Sequence, residues 1–222
     1  MKYYLVFLLG ILITKVSSSQ SNSIGISGGY KVVSGNFPIT IFEYFETWAD
    51  SQNGFGSHLF YQRDLTSVLS VKVGVEYFNF EIQYPNSRFS APNGFETDLR
   101  PLRTTGNVLV SDMGLVFRFV ENPNWKIESS LGFLFGSGLN GGETIMRNDG
   151  VTQTLMLFED GEEYFMGVPL GFISKYFPFD SGFSEDMFFF LDLNGQLIDF
   201  MGNETSALRF AFRTNVGVGL DF

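Results

Sequence analysis

The side chains that could take part in chemistry are a single histidine and a set of charged residues at alternating positions. His58 is the only histidine, and the chain has no cysteine. Acyl chemistry needs a histidine, a serine and an acid on one face, but Ser57 is adjacent to His58 and would point to the opposite face of a strand. Gly56 and Phe60 occupy the same face as His58. The sequence therefore predicts no enzyme and, without a His/Cys cluster, no metal site and no cofactor.

The charged residues of both signs fall on one face of segments that alternate with apolar residues. If these segments are strands of a closed eight-stranded barrel, its interior is just wide enough for side chains, and charges there must pair or contact water. We expect a structural ionic network in the lumen; the alternative is an ion path or proton relay. Its predicted members are Lys31, Lys72, Glu76, Asp112, Arg118, Glu128, Lys175, Asp192, Arg209 and Arg213.

The alternation that would position these side chains is clearest over residues 209–222. One face carries Phe210, Phe212, Thr214, Val216, Val218, Leu220 and Phe222. The other carries Arg209, Ala211, Arg213, Asn215, Gly217, Gly219 and Asp221. A period of two residues over this length predicts a β-strand. One face is apolar enough for lipid, and the other is small and polar enough for a packed barrel lumen.

The same period divides the whole chain into strands. The predicted strands are 24–32, 55–63, 69–77, 109–119, 127–135, 164–177, 187–200 and 209–222. Strand 55–63 alternates least regularly, but it makes the number even, as in single-chain bacterial barrels. Each strand has about the 9 to 11 residues that cross hydrocarbon at a tilt. We predict an all-β fold, an eight-stranded antiparallel up-and-down transmembrane β-barrel with both termini periplasmic, spanning residues 20–222.

The lengths of the connections agree with this order. Long connections, 34–54, 85–105 and 139–163, follow the first, third and fifth strands. Short connections, 64–67, 121–124 and 178–184, follow the second, fourth and sixth, and 201–205 is the one short outer connection. Short periplasmic turns and long extracellular loops are typical of porin-type barrels. Because Arg118 and Glu128 flank the turn at 122–124 almost symmetrically, we expect them to face each other.

One strand departs from the pattern. After Tyr77 the apolar residues change parity, to Phe78, Phe80, Ile82 and Tyr84. A β-bulge near Tyr77 would explain the change, and so would a strand that leaves the membrane there. We expect the second, with the strand continuing into an extracellular hairpin.

The N-terminal residues predict export. Lys2, the apolar run 5–13 and the small residues 16–19 form a secretory signal peptide, residues 1–19, cleaved after Ser18 or Ser19. The apolar run is too short for a membrane anchor, and a chain without cysteine carries no acylated cysteine. Loss of Lys2 and Lys15 lowers the formal net charge from -10 to -12. A chain this acidic is a poor binder of nucleic acid.

The predicted outer loops carry two kinds of side chain. Acidic residues dominate 34–54 and 139–163; they could bind Ca²⁺ or bridge to lipopolysaccharide through divalent ions, although no spacing matches a calcium loop and simple solvation explains them as well. The first loop is also unusually aromatic, which suggests a partner surface or a loop folded over the barrel mouth. The candidate partner surface is Phe37, Phe42, Tyr44, Phe45 and Trp48.

A family resemblance rests on the signal peptide and on three strand segments. These are 130–135 (SLGFLF), 168–176 (VPLGFISKY, with a proline inside the strand) and 216–222 (VGVGLDF). In these features the chain resembles the small outer-membrane β-barrels called PorT-like or, more broadly, OmpA-like. The resemblance covers the mature chain as a pattern, without a diagnostic motif. It implies a single integral barrel without a soluble domain; family members serve varied roles, some in secretion machinery.

We therefore expect a non-enzymatic outer-membrane barrel with a plugged lumen that anchors extracellular loops for a partner protein or ligand. Its expected partners are the bilayer and outer-membrane lipids, an outer-membrane protein, and the barrel-insertion machinery, which would read Phe222 as an assembly signal. The alternatives are a narrow channel for small solutes and an outer-membrane lipid-modifying enzyme. A soluble lipocalin-like carrier would need its apolar face inside, whereas here the glycine-rich and charged face fits the inside better.

Overall fold

A computed structural model describes residues 21–41, 45–83, 99–147, 152–158, 164–179, 186–201 and 209–222. Within these ranges the regular elements are nine β-strands. They are β1 (Asn22–Ile41), β2 (Phe45–Asp64), β3 (Leu69–Gln83), β4 (Leu99–Glu121), β5 (Trp125–Arg147), β6 (Thr152–Phe158), β7 (Tyr164–Tyr176), β8 (Met187–Met201) and β9 (Arg209–Asp221). No helical segment with the length and hydropathy needed to span a membrane occurs in the described ranges.

The nine strands occupy eight positions in a closed antiparallel barrel. Each strand pairs with its neighbours, β9 pairs with β1, and the β4–β5 ladder completes the ring. β6 and β7 both pair with β5, first from Met146↔Thr152 to Gly141↔Phe158 and then from Ser137↔Tyr164 to Trp125↔Tyr176. They are therefore successive segments of one barrel position. The predicted eight-stranded barrel is confirmed.

The strands are longer than predicted, which corrects the lengths of the outer loops. The β1–β2 ladder continues to Ile41↔Phe45, and the β4–β5 ladder continues to Leu99↔Arg147. Within the described ranges, residues 34–41, 45–54, 99–105, 139–147 and 152–158 of the predicted loops therefore belong to strands. Two neighbouring strands can satisfy each other's backbone hydrogen bonds even where polar and apolar side chains do not alternate strictly. Irregularities such as the register shift between Ser34 and Phe37 also interrupt the alternation from which a strand is predicted.

The barrel has two ends that differ in height. At one end, here called the terminal rim, the backbone N–H groups of Asn22 and Phe222 donate to each other's carbonyl oxygens at 2.9 and 2.7 Å. The short turns at 65–68 and 122–124 lie at this rim. At the opposite end, the loop rim, the β1–β2 and β4–β5 ladders extend furthest, whereas the β8–β9 ladder begins at Ile198↔Arg209.

The outer surface is an apolar belt. Alternate side chains along every barrel position are exposed and apolar, and three of them, Phe55, Phe133 and Leu170, are 72%, 71% and 64% exposed. On β9 the exposed set is Phe210, Phe212, Val216, Val218, Leu220 and Phe222, as the alternation predicts. A continuous apolar surface of this size cannot face water in a monomeric soluble protein. It fits the hydrocarbon of a bilayer.

Polar side chains mark the upper edge of this belt. Asn107 Oδ1 accepts hydrogen bonds from Tyr77 Oη at 2.7 Å and from Asn79 Nδ2 at 2.9 Å, and Asn107 Nδ2 donates to Asn140 Oδ1 at 2.6 Å. The Trp125 and Tyr176 rings contact each other near the terminal rim, with 4.7 Å between their centroids and a tilt of 38°. From Asn107 to Phe119, β4 would rise about 30 Å along the axis at a tilt of about 40°, which matches the hydrocarbon thickness.

The parity change after Tyr77 lies at the upper edge of the apolar belt, where the strand was expected to leave the membrane. β3 continues to Gln83 without a register shift against β2 or β4, so there is no bulge at Tyr77. Phe78 and Phe80 are buried inside the barrel, at 4% and 6% exposure. The faces of the strand do not change; the apolar residues move from the lipid side to the lumen side. The sequence interpretation assumed a polar lumen throughout, and that assumption was wrong.

Candidate functional site in the barrel lumen

Four groups of side chains fill the lumen between the terminal rim and the loop rim. The lower ion cluster is Gln62, Asp64, Arg118, Glu128 and Lys175. The lower aromatic layer is Phe60, Phe177, Phe188 and Phe190. The central ion layer is Lys31, His58, Lys72, Glu76, Asp112, Asp192 and Arg213. The upper apolar layer is Val33, Phe78, Phe80, Val110, Leu134, Phe165, Ile198 and Ala211.

Arg213 is the hub of the central ion layer. Its Nη1 lies 3.2 Å from Glu76 Oε2 and its Nη2 lies 3.0 Å from Asp192 Oδ2. Lys31 Nζ contacts the same Glu76 oxygen at 3.2 Å, and Lys72 Nζ lies 3.7 Å from Asp192 Oδ2. Among the carboxylates, lysines and arginines of the layer, Glu76, Asp112 and Asp192 face Lys31, Lys72 and Arg213. The layer is therefore balanced in charge, as buried ions require.

His58 belongs to this layer. It is 1% exposed, and its Nε2 lies 2.8 Å from Asp112 Oδ2. The contact crosses β3 at Gly74, which pairs with Asp112 in the β3–β4 ladder. A Cβ atom at Gly74 would collide with His58 Nε2 and with Asp112 Oδ2. The glycine therefore opens the space in which the two side chains meet.

Arg118 and Glu128 organise the lower ion cluster. They are register partners in the β4–β5 ladder, and Arg118 Nε lies 3.2 Å from Glu128 Oε1, which confirms the predicted facing pair. Arg118 Nη2 lies 3.0 Å from Asp64 Oδ2. On the other side, Lys175 Nζ lies 3.1 Å from Glu128 Oε2 and donates to Gln62 Oε1 at 3.1 Å. Two cations again face two carboxylates.

Two aromatic groups fill the lumen on either side of the central ions. Phe60 and Phe190 contact edge to face at 5.2 Å below the central layer. A Cβ atom at Gly25 would lie 2.5 Å from the Phe60 ring, and one at Gly106 would lie 2.6 Å from the Phe80 ring. Glycine on the inner face therefore leaves space for rings from neighbouring strands. The expectation of a small and polar inner face missed these rings, because alternation alone does not exclude apolar residues from a lumen.

Nine of the ten predicted ionic residues lie in these two ion groups. Arg209 begins β9 opposite Ile198, and its side chain lies outside the described set. The sequence interpretation missed His58, Gln62 and Asp64 as members. His58 and Gln62 share parity with the inward Phe60, which is a signal that could have identified them.

The other predicted site residues lie at the two rims. Phe222 is 67% exposed on the outside of the terminal rim. Phe37, Phe45 and Trp48 lie in the extended β1–β2 ladder, where Phe37 pairs with Ala49, Trp48 with Pro38 and Phe45 with Ile41. Phe42 and Tyr44 lie outside the described residues, as do most acidic side chains of the predicted loops.

The chemistry open to this arrangement is narrow. Every ion of the central layer is paired, and Ser57 points outward, away from His58. Within the described ranges no group of three His, Cys, Asp or Glu side chains could hold a metal ion. The arrangement suits a packed plug that fixes the strands in register.

Comparisons with known proteins show the fold of this chain but no protein family to which it belongs. Neither the protein-family models nor the curated proteins include a match to this chain. A solved structure of a major outer membrane protein from Thermus thermophilus is similar, with a TM-score of 0.52, 11% identity, and coverage of 92% of this chain and 100% of that one. Ail of Yersinia pestis has a TM-score of 0.42 and 12% identity, with coverage of 92% of this chain and 100% of that one. OprG of Pseudomonas aeruginosa has a TM-score of 0.43 and 12% identity, with coverage of 94% and 99%. The likeness to the Thermus thermophilus structure shows the β-barrel fold.

Proposed function

We propose that this protein is an integral outer-membrane barrel that acts as an anchor and presents extracellular hairpins to a partner protein or ligand. The observation that carries the proposal is the lumen, which is filled by two apolar clusters and by networks of paired charged side chains. A filled lumen offers no continuous aqueous path, so the protein would act through its outer surface. The PorT-like resemblance extends the proposal to a subunit of a larger outer-membrane assembly.

The asymmetry of the barrel supports an orientation with the terminal rim in the periplasm. The terminal rim carries the short turns at 65–68 and 122–124, whereas the loop rim carries the long β1–β2 and β4–β5 ladders. Short turns face the periplasm and long connections face the exterior in outer-membrane barrels. The orientation assumes export through the predicted signal peptide, residues 1–19.

A non-enzymatic role is proposed from the surroundings of His58. A catalytic histidine must reach its substrate, but His58 is buried inside the barrel at 1% exposure. Its near neighbour Asp112 is committed to the same buried pair. An unchanged lipid profile in cells that carry His58→Ala is the expected result, and a profile that changes as it does on deletion of the whole protein would favour the lipid-modifying alternative.

Conductance and partner capture test the proposal together. Purified protein in planar lipid bilayers should show no steady conductance above the lipid background; a reproducible open level would favour the small-solute channel. Partner capture from mild detergent should fall for a Phe45→Ala/Trp48→Ala variant at the loop-rim hairpin. Phe55→Ala, in the lipid-facing belt, is the matched control. Equal capture by all three proteins would contradict the assigned partner surface.

A further inference from the structure

A small cavity lies beside the central ion layer, where Met113, Leu131 and Pro169 of the barrel wall also line it. Its volume is about 20 Å³, which is room for one water-sized molecule, since a single probe sphere needs about 10 to 15 Å³. Four charged side chains, Lys72, Glu76, Asp112 and Arg213, line it together with Asn194 and Gln196. Val110 and Val116 form part of its apolar wall.

Three buried polar atoms of the lining residues have no protein partner. They are Asn194 Oδ1, Gln196 Oε1 and Arg213 Nε. The three residues are 3%, 2% and 3% exposed. A buried polar atom without a hydrogen bond is costly, and such atoms are rare in folded proteins. Two acceptors and one donor around a single cavity indicate a guest that both donates and accepts.

The backbone beside the cavity supplies a second, independent observation. Pro169 lines the cavity and has no N–H to donate to β5. The β5–β7 ladder pairs Leu131 with Leu170 and Leu134 with Gly167, and it skips the positions between them. The β5–β7 ladder is therefore interrupted where the cavity lies, and Gly132, Phe133, Val168 and Pro169 have no register partner in this ladder.

The charges of the lining select the chemical class of the guest. Lys72 and Arg213 balance Glu76 and Asp112, so the site offers no net attraction to an ion. A metal ion or ammonium cannot accept the hydrogen of Arg213 Nε, and an anion cannot donate to the amide oxygens. We propose that the cavity binds one structural water molecule, which accepts from Arg213 Nε and donates to Asn194 Oδ1 and Gln196 Oε1. Water fits either orientation of the two amides, because it donates and accepts equally well.

Hydration of the central ion layer goes beyond the proposed anchoring function. A hydrogen bond through a bridging water is nearly equivalent in enthalpy to a direct hydrogen bond. One water molecule would therefore link Arg213 Nε to the side-chain oxygens of Asn194 and Gln196. Because Asn194, Gln196 and Arg213 are each at most 3% exposed, this water would exchange slowly with solvent. A long residence time distinguishes it from water in an open pore.

The experiment counts long-lived internal waters by oxygen-17 magnetic relaxation dispersion on the full chain in nanodiscs. Val110→Ile and Val116→Ile each add one methylene to the cavity wall without touching a hydrogen bond. The expected result is the loss of one long-lived water in at least one of these variants. Val33→Ile, in the upper apolar layer away from the cavity lining, should keep the count of the wild type.

Thermal unfolding of the same variants separates a hydrated cavity from a dry one, because the midpoint of unfolding shifts in opposite directions. If a bound water is displaced, the unfolding midpoint falls, because three buried polar atoms lose their partner. If the cavity is dry, filling it raises the midpoint. An unchanged water count in both variants, or a raised midpoint without loss of a water, would overturn the proposal.

Discussion

Arg213 on β9 and Glu76 on β3 lie three strand positions apart around the barrel wall, and their side chains meet inside with 3.2 Å between Nη1 and Oε2. The contact exists only when the sheet is closed, because the intervening strands β1 and β2 must curve to bring the two walls together. Arg213 also holds Asp192 on the neighbouring β8. This one guanidinium therefore ties three strands across the centre of the lumen.

Arg213→Met should lower the free energy of unfolding by about 3 to 5 kcal/mol, because it leaves two buried carboxylates short of a cation. Arg213→Lys should lower the free energy of unfolding by a smaller amount, because it keeps the positive charge. It should still be less stable than the wild type, because an ammonium group cannot bridge both carboxylates as the planar guanidinium does. Urea unfolding in detergent micelles measures both variants. Arg103→Met, at an exposed position, is the control and should stay near the wild type; equal stability of all variants would contradict the role of Arg213.

Gly74→Ala should break the His58–Asp112 pair. The added methyl group would collide with both side chains, so one of them must leave its place and lose a buried hydrogen bond, at a cost of about 1 to 3 kcal/mol. Gly28→Ala is the matched control, because a Cβ there meets only the Gly56 carbonyl oxygen, at 3.9 Å. The temperature at which the unboiled protein loses its fast gel mobility reports both, and a drop in the control alone would refute the assignment.

Val73→Arg should cost roughly 2 to 4 kcal/mol near the bilayer midplane, since Val73 points outward opposite Met113, halfway along the apolar belt. Phe117→Arg, opposite Leu69 beside the terminal rim, should cost only about 0 to 1 kcal/mol. Asn107→Arg, at the polar edge of the belt, should cost only about 0 to 1 kcal/mol. Folding equilibria in lipid vesicles give the comparison. If all three substitutions were tolerated equally, the outer face would not be lipid-facing.

Deletion of Phe222 should reduce membrane insertion and leave precursor or degraded protein in the periplasm, if the insertion machinery reads this aromatic ring. Phe222→Tyr keeps an aromatic ring and should insert normally. If Phe222 is merely a lipid-facing side chain, the deletion would insert normally and melt lower, by at most about 1.5 to 3 kcal/mol of lost burial. Protease accessibility at the surface of intact cells separates the two outcomes.

Much of the barrel could be predicted from local sequence because the two faces of a strand repeat every two residues. The exposed and buried sets of 210–222 follow the alternation directly, and the ten-residue spacing of Arg118 and Glu128 around a tight turn was enough to pair them. Both depend on neighbours along one hairpin, where turn geometry fixes the register.

Tertiary structure alone decided what the lumen contains. An apolar residue fits lipid and a packed interior equally well, so the sequence could not place Phe78 and Phe80 inside. The pairing of Arg213 with Glu76, 137 residues apart, depends on barrel closure and on the tilt of the strands. His58 meets Asp112 only because Gly74 lies between them on the intervening strand. Local alternation determined the faces, and closure determined which side chains share the space that those faces enclose.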